Sequence, residues 1–424
     1  YKNCLGDAEN EISNIESNTA NIDWEHINNN EIRLVIPQAY RTEKIVRNLG
    51  KAVNNDKGSN FNTSNIWANT SSQCTVSQNI CNAKITVYGI QLDSYGEVWH
   101  INSNTNMGFE GNYAVLKEEP KLHVGQNIDH ANFMFDSNGN GLQKIAIGSK
   151  KVTEMVKLEV IKVPESIQLR MEHGDKAAIS SAFYSAAFLL QRVLADTLDV
   201  QPDDIEISEF GINSDTGLPY ICMNDALPNG AGLVSYLYKD NNLEKTIRKI
   251  INFETAFMKH ILNHEHRDYC LTACQKCILS YSNQGYHHVL DWRLGVGLLR
   301  LMVDSQYDFG ITNQKREYHE LEDQESLYQF AATKLAINYS AKHYVLSQQR
   351  MGEPEYKLIV HPLICSEYLK RNIKSFITDY QENTDIHVYD LFRLLRSDLS
   401  PRVNNLGLIR HEDIPQNRDK IVLI

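Results

Sequence analysis

The chain has 424 residues, with 42 lysine and arginine residues against 53 aspartate and glutamate residues, and its formal net charge at pH 7 is −11. A chain of this length can form two or three domains with hydrophobic cores of their own. Because an acidic surface repels phosphate, the charge excludes tight DNA binding by the chain alone unless basic residues are concentrated locally. A solvated helix face explains the two basic clusters at least as well as phosphate contact does. The clusters are Lys144, Lys150, Lys151 and Lys157, and Lys245, Arg248, Lys249 and Lys259.

The sequence predicts neither a membrane span nor export. It has no run of 18 apolar residues and no basic N-terminal segment followed by an apolar one. Its eight cysteines are too few for a disulfide scaffold in a chain of this size. We therefore expect a cytoplasmic protein with reduced thiols. Because the chain begins with Tyr1 rather than Met, we expect it to be part of a longer protein.

Residues 1 to about 160 are predicted to form a β-rich part. Short β-like runs alternate there with connections rich in Asn, Ser and Gly: EIRLVIP, AKITVYGIQL, GEVWHIN and QKIAIG. This alternation is typical of an antiparallel sheet with long loops.

From residue 161 to about 310 the pattern changes to long helices around a short sheet. The segment Ala177–Leu198 is apolar on nearly all sides, which predicts a buried core helix. Short strands are predicted near residues 205–207 and 219–223. An amphipathic helix is predicted from Glu244 to Leu262, and a further helix is predicted to begin near Leu290.

The last part, residues 311–424, alternates helices with strands at residues 356–360 and 386–389, and a helix is predicted between them at residues 365–380. Such alternation is typical of a small parallel α/β unit. His361 and Asp390 follow these two strands, where α/β folds display functional groups. The predicted fold is therefore α/β (α+β), with a β-rich part at 1–160, an α/β core at 161–310 and an α/β unit at 311–424.

The segment YICMNDALPNGAGLVSYL is a candidate second site. A predicted strand ends at Asp225, and Gly230 and Gly232 follow it before the next helix. A carboxylate and free backbone N–H groups at the end of a strand are a common ligand site. The simpler interpretation, which we prefer, is that the glycines permit a tight turn and that Asp225 caps the helix.

The segment HRDYCLTACQKC contains the most specific motif in the chain. It supplies three thiols and an imidazole from His266, Cys270, Cys274 and Cys277. Thiolate and imidazole donors in a tetrahedral set suit zinc and form closed structural sites. Three cysteines within eight positions of a polar segment are hard to place in an apolar core. The sequence therefore predicts a structural zinc site with these four ligands.

The spacing of the four residues requires a break in the helix. On one continuous helix they would spread over roughly 16 Å, whereas adjacent ligand atoms in a tetrahedral site lie about 4 Å apart. We therefore predict that a helix ends before His266 and that zinc clips it to the next helix. The fourth ligand is open, because His264, Cys222 or Cys365 are alternatives to His266. His287, just beyond the loop, is a candidate for orienting the site or for bonding local backbone.

The zinc motif belongs to an ordered series of segments. NDALPNGAGLV is followed by a long helix, by CxxxCxxC and by ILSYSNQxxHHxLDWRLG; upstream lie RLVIPQAYRTEK, GEVWHINSNTNMGFEG, KIAIGSKKVTEM and SAFYSAAFLLQRVLADTLDV. This series, over about residues 31–302, resembles the zinc-binding domain found C-terminal to many superfamily 2 DNA helicases. That domain occurs in the mitomycin-repair helicase family and in helicase-like proteins of the DISARM and Druantia antiphage systems. Related sequences more often have a cysteine at the first ligand position, where this chain has His266.

The resemblance implies an accessory module that braces a helicase motor and guides or senses DNA, in bacterial antiphage defence or in DNA repair, with defence preferred. The implied partners are helicase motor domains in the same or a partner chain, and DNA, which the module alone binds weakly. The sequence has no G-x-x-x-x-G-K-[ST] loop, so ATP binding and hydrolysis are assigned to the parent protein. Two alternatives stay open: a metal-dependent nuclease using Asp225, and a protein–protein scaffold.

Overall fold

The structure is a computed structural model, and it describes residues 33–35, 65–69, 76–89, 96–102, 145–312, 318–335, 345–350, 353–377, 386–396 and 405–409. The chain divides into two compact units. The first unit comprises Tyr1–Asn69 and Glu97–Val152, and the second comprises Thr70–Gly96 and Thr153–Ile424.

The described residues contain both strands and helices in quantity. In chain order the strands are β1 (Arg33–Val35), β2 (Asn65–Asn69), β3 (Val76–Ile80), β4 (Ala83–Tyr88), β5 (Gly96–Asn102), β6 (Ile145–Thr153), β7 (Met155–Val160), β8 (Ile205–Ile212), β9 (Pro219–Asp225), β10 (Val345–Arg350), β11 (Glu353–Val360), β12 (Ile386–Asp390) and β13 (Asn405–Ile409). The α-helices are α1 (Lys176–Leu198), α2 (Asn242–Ile251), α3 (Ala256–Leu262), α4 (His264–Tyr269), α5 (Trp292–Val303), α6 (Gln324–Lys334), α7 (Ser366–Arg371), α8 (Ile373–Phe376) and α9 (Leu391–Arg396). Short 3-10 helices span Pro202–Asp204, Val234–Asn241, Gln284–Tyr286 and His319–Leu321. The predicted α/β class is confirmed.

The first unit contains a four-stranded sheet of order β1-β6-β5-β2. Strand β2 is antiparallel to β5, with Trp67 opposite Trp99. Strand β1 is parallel to β6, with Leu34 opposite Ala146, so the expectation of a purely antiparallel sheet is wrong at this pair. Parallel pairing needs a long crossover, and more than one hundred residues separate these two strands along the chain.

The second unit is built around a five-stranded antiparallel sheet of order β3-β4-β7-β9-β8. Ile85, Leu158 and Ile221 lie opposite one another on the three central strands and are buried. The sheet includes strands from both sides of residue 160, because β7 pairs with β4 on one side and with β9 on the other. The division of the chain into three parts at residues 160 and 310 stays a prediction.

Helix α1 forms the centre of the core of the second unit. Asp175 caps its N-terminus, because one carboxylate oxygen accepts the N–H groups of Ala177 and Ala178 at 2.9 and 3.2 Å. By length and composition α1 is the one described helix apolar enough to cross a membrane, and 72% of its apolar window is buried within the protein. The buried core helix predicted from the sequence is confirmed.

Helix α5 packs closely against α1, and a glycine makes that approach possible. A Cβ atom added at Gly295 would lie 2.7 Å from the carbonyl carbon of Ser185. Backbone atoms cannot move aside as a flexible side chain can, so only glycine fits at this crossing. The contact fixes the first turn of α5 against the core.

The single helix predicted from Glu244 to Leu262 is wrong, because the chain breaks into α2 and α3. Phe253, between them, has a left-handed backbone with φ of 54° and inserts a buried ring whose centroid lies 6.3 Å from that of Trp292. Thr255 then starts α3, since its hydroxyl oxygen accepts the N–H of Met258 at 3.1 Å.

The C-terminal residues of the second unit form a mixed sheet of order β10-β11-β12-β13. The central pair, β11 and β12, is parallel with Val360 opposite Asp390, as the sequence predicted, whereas β10 and β13 pair antiparallel at the edges. The helix predicted at residues 365–380 is instead two short helices, α7 and α8, which meet at Asn372.

Candidate metal centre

The chain turns sharply where the four predicted ligands lie. His266 belongs to the short helix α4, and Cys270 ends that helix. The predicted end of a helix before His266 is present, because α3 ends at Leu262, and Cys274 and Cys277 follow α4 in a loop without helix. All four residues precede α5, so none of them is supplied by the helix that follows.

The four side chains converge on one point. One ligand atom from each of His266, Cys270, Cys274 and Cys277 lies within 4.8 Å of all the others. The sulfur atoms of Cys270 and Cys277 are 3.8 Å apart, and both cysteines are free thiols rather than a disulfide. His266 and Cys270 are buried, with 4% and 2% of their surfaces exposed. These residues form the one group of three or more His, Cys, Asp or Glu side chains, among those described, that can hold a metal ion.

The hydrogen bonding of His266 prepares its ring for a metal ion. Its Nδ1 atom lies 2.9 Å from the backbone carbonyl oxygen of Ile261, which can only accept a hydrogen bond. Nδ1 therefore carries the proton, and in the neutral ring the lone pair is on Nε2. Nε2 is buried without a hydrogen-bond partner. A buried nitrogen lone pair beside three sulfur atoms is an unsatisfied polar group that a metal ion would complete.

The loop also stabilises a thiolate. The backbone N–H of Cys274 points to the sulfur of Cys277 at 3.1 Å. The pKa of Cys277 is lowered to about 4, first by the hydrogen bond with Cys270 and then by His266 and backbone N–H groups, which together outweigh the raising effect of burial. The pKa of Cys270 is raised, first by the same hydrogen bond and then by burial. The pair therefore favours a thiolate on Cys277, which is the form in which a cysteine binds a metal ion.

The alternatives for the fourth ligand lie elsewhere. The cluster contains His266 and none of His264, Cys222 and Cys365. His264 is exposed at the start of α4, Cys222 is buried within β9, and Cys365 precedes α7. The choice of His266 by spacing agrees with this geometry.

Arg293 fixes the metal-binding loop to the core, and the sequence analysis missed it. Its guanidinium donates to the carbonyl oxygens of Cys270 and Leu271 at 3.2 and 3.0 Å, and it pairs with Asp323. The backbone N–H of Trp292 also donates to the Thr272 carbonyl at 3.0 Å. An arginine in the first turn of a largely apolar helix was the available signal, because a buried guanidinium must have partners.

His287 has a structural role in the segment that follows the cysteines. Its Nε2 atom lies 2.8 Å from the Ser280 carbonyl oxygen and 2.9 Å from the Asn283 side-chain oxygen. Asn283 is buried, accepts the Ser280 N–H and donates to the Ile278 carbonyl. The side chains bond local backbone, which is the simpler of the two interpretations left open by the sequence.

Asp225 is a helix cap. Its carboxylate is fully buried and accepts the backbone N–H groups of Ala231, Leu233 and Val234 at 2.6 to 3.2 Å. Gly230 is required in this turn, where φ is 74° and an added Cβ would lie 2.5 Å from Glu154. Both oxygens of the carboxylate accept hydrogen bonds from backbone N–H groups, and this geometry agrees with the capping interpretation.

His361 and Asp390 lie at the carboxyl ends of the parallel strands, as predicted, and both are buried. Burial lowers the pKa of His361 to about 3, so its ring is neutral, and Nδ1 accepts the Leu363 N–H at 3.2 Å. Burial and then the neighbouring Asp175 carboxylate raise the pKa of Asp390 to about 7. The Asp390 carboxylate also accepts the Phe392 N–H at 2.7 Å. Both side chains bond the backbone that follows their strands.

Comparison with known proteins gives little further guidance. No family model matches the chain, and no curated protein matches it. A solved structure described as the crystal structure of the DUF1998 helicase MrfA bound to DNA is similar, with a TM-score of 0.32 and 15% sequence identity. The match covers 57% of this chain and 25% of that chain, so this chain spans only about a quarter of that protein. Similarity at this TM-score fixes neither the fold nor the function.

Proposed function

We propose that the chain is a zinc-binding accessory module of a superfamily 2 DNA helicase, or of a subunit that works with one. The observation that carries the proposal is the convergence of His266, Cys270, Cys274 and Cys277, whose ligand atoms lie within 4.8 Å of one another. The ordered segments over about residues 31–302, which resemble the zinc-binding domain found after helicase motors, supply the helicase context.

The donor set fits a structural zinc ion. Three sulfur atoms and one imidazole nitrogen fill a tetrahedral shell and leave no position for water or substrate. Zinc bound there supplies cross-linking between parts of the chain rather than chemistry on a substrate. His266 presents Nε2 with its lone pair free, and the backbone N–H of Cys274 already points to the Cys277 sulfur.

The loop that carries the four ligands is connected rigidly to the helices of the core, and we call this connection the brace. Arg293 ties the carbonyl oxygens of Cys270 and Leu271 to the first turn of α5, and Gly295 in the same turn packs against α1. Any force on the loop is therefore carried to the buried core of the second unit. We propose that this rigid connection supports the motor and guides or senses the DNA strand that leaves it.

We propose bacterial antiphage defence or DNA repair as the setting, with defence preferred, because the ordered segments resemble those of helicases with these roles. Its partners would be motor domains in the same or a partner chain, in the cytoplasm. A protein–protein scaffold is the alternative that the net charge of −11 favours over autonomous DNA binding. No observation favours a nuclease that uses Asp225, since three backbone N–H groups occupy that carboxylate.

Zinc content, measured in the purified chain and in two histidine variants, tests the metal assignment. We expect one zinc per wild-type chain and an affinity lower by more than about ten-fold in His266→Ala. His264→Ala is the matched control, because it removes an exposed imidazole two residues earlier and should change nothing. A folded wild-type chain without zinc would contradict the proposal.

Coupled assays with the parent motor test the helicase assignment. Zinc-loaded wild-type chain, or a parent protein that contains it, should support ATP-dependent DNA unwinding. Cys274→Ser should reduce unwinding by more than about five-fold while ATP hydrolysis by the motor persists, because the brace and not the ATPase is damaged. Unwinding that is unchanged in this variant would argue for the scaffold alternative.

A further inference from the structure

Two tyrosines beside the metal cluster are far more exposed than any other large hydrophobic residue of the described chain. Tyr269 and Tyr281 have 89% and 88% of their surfaces exposed, whereas the next most exposed, Leu227, has 57%. Placing a large ring in water forgoes the free energy of burial, roughly 25 cal/mol per Å² of apolar surface. Two such rings at one site indicate a surface that has a partner.

Both rings are carried by the metal-binding loop. Tyr269 immediately precedes Cys270, and Tyr281 lies four residues after Cys277. Because the sulfur atoms of those cysteines are 3.8 Å apart, chain length alone keeps the two tyrosine Cα atoms within about 30 Å. That distance corresponds to a few nucleotides of a single strand.

The loop between the tyrosines has a rigid backbone and little exposed aliphatic surface. Ile278 is buried, and Leu271 and Leu279 pack against the hydrophobic clusters. Asn283 bonds the Ser280 N–H and the Ile278 carbonyl, which fixes the turn that carries Tyr281. The outward side chains are therefore aromatic or polar, and the apolar ones point inward.

The charge of this segment differs from that of the whole chain. Residues 269–290 contain no aspartate or glutamate, although the chain as a whole has 53, and their one lysine, Lys276, is exposed. Exposed Gln275 and Gln284 add neutral hydrogen-bond donors. On the N-terminal side the exposed Glu265 and Asp268 limit the acid-free surface. The segment itself therefore adds no negative charge that would repel a polyanion.

We infer that Tyr269 and Tyr281 form a stacking platform for single-stranded nucleic acid. Proteins that bind single strands without sequence preference stack successive bases on aromatic side chains and contact the backbone with basic ones, and here the exposed Lys276 lies between the two tyrosines in the sequence. A duplex hides the faces of its bases and offers no such contact. Tyrosines are also common in protein–protein interfaces, so the binding and crosslinking measurements with a single strand distinguish the two occupants. The inference rests on the proposed function: that function has the module guide or sense DNA, and the inference names a single strand as the form of nucleic acid that the module contacts.

The salt dependence distinguishes this mode from ordinary phosphate binding. With Lys276 as the one cation between the rings, about one phosphate is neutralised, and the affinity should fall with salt at a logarithmic slope near −0.7. A slope of several units would mean that the basic clusters elsewhere in the chain bind the strand, and it would overturn the inference.

Fluorescence anisotropy of a labelled twelve-nucleotide oligothymidylate, titrated with the zinc-loaded chain at low salt, tests the platform. Tyr269→Ala and Tyr281→Ala should each weaken binding by about five- to fifty-fold, and the corresponding phenylalanine variants should retain it, because the ring and not the hydroxyl does the stacking. Phe330→Ala is the matched control, because it removes a partly exposed ring that belongs to α6 rather than to the segment between Tyr269 and Tyr281. A duplex of equal length should bind more weakly than the single strand.

Photocrosslinking provides a second measurement, which detects the contact even when the affinity is weak because the crosslink is covalent. An oligonucleotide containing 5-iodouracil should crosslink to Tyr269 and Tyr281, as mapped by mass spectrometry. Crosslinks only at other residues, or alanine variants that bind the strand as wild type does, would overturn the inference. Failure of a zinc-loaded chain to bind the strand at all would overturn it as well, while leaving the zinc-brace proposal intact. Absence of zinc would instead contradict the proposed function itself.

Discussion

At the scale of single residues, one backbone contact of His266 determines which of its two ring nitrogens is free to bind a metal ion. The Ile261 carbonyl holds the proton on Nδ1 and leaves a buried, unpartnered lone pair on Nε2. A core histidine with both nitrogens satisfied would not need a metal ion. Spacing along the chain indicated His266 as a ligand, but the carbonyl that orients the ring comes from the preceding helix and is not visible in the sequence.

Asp390 gives the protein a pH-dependent contact. Its carboxyl lies beside Asp175, and Arg393 is 2.6 Å from the Asp175 carboxylate, while Arg396 faces Asp390 at longer range. The folded-state pKa of about 7 is above the ordinary value of 3.8, so the folded protein holds a proton that the unfolded chain releases. This contribution to stability is fully present below about pH 4 and is lost as the pH rises through 7.

We therefore expect Asp390→Asn to remove a pH dependence of the unfolding free energy on the order of 2–4 kcal/mol between pH 4 and pH 8. Asparagine keeps the shape and donates an N–H to Asp175 at every pH. Thermal melts at several pH values should show the variant gaining stability over wild type as the pH rises, whereas Asp268→Asn, at an exposed position, should track wild type. A difference that does not change with pH would show that the two carboxyls do not share a proton.

At the scale of elements, the crossing of α1 and α5 holds the metal-binding loop in place. Gly295 permits the contact, because an added Cβ would lie 2.7 Å from the Ser185 backbone. Gly295→Ala should lower the free energy of unfolding by about 1–3 kcal/mol through overpacking. Gly89→Ala is the control, since its nearest neighbour would lie at an ordinary 3.5 Å. Equal melting temperatures for the two variants would mean that the helices adjust without cost.

Periodicity predicted elements well where one pattern continued, and poorly where a single residue interrupted it. The apolar run of α1 identified a buried helix to within one residue at its start. By contrast, the left-handed backbone of Phe253 ends α2, and nothing in the amphipathic pattern from residue 244 to 262 marks that break. The parallel pair β11 and β12 was predicted from alternation, but its antiparallel edges depend on long-range pairing that local sequence does not encode.

The metal cluster could be predicted almost completely from the sequence, because its ligands lie within one short segment. The residues that support it could not. Arg293 and Asp323 are 30 residues apart and meet only through the fold. Tyr269 and Tyr281 were also missed, since exposure is a property of the folded loop and not of the residue type.

At the scale of the whole molecule, the proposed role of an accessory module agrees with an acidic chain whose sequence has no G-x-x-x-x-G-K-[ST] loop. Its charge of −11 is set against a segment of residues 269–290 that carries no acid. Under the proposed function, the chain contacts a single strand at Tyr269 and Tyr281, while ATP hydrolysis and most contacts with DNA belong to the motor.

The central claim is that one zinc ion is bound by three sulfur atoms and one imidazole nitrogen. X-ray absorption at the zinc edge of the purified chain measures that shell directly. We predict three zinc–sulfur distances of about 2.3 Å and one zinc–nitrogen distance of about 2.0 Å. A shell of oxygen and nitrogen alone, a shell of four sulfur atoms, or a folded chain that takes up no zinc would contradict the account.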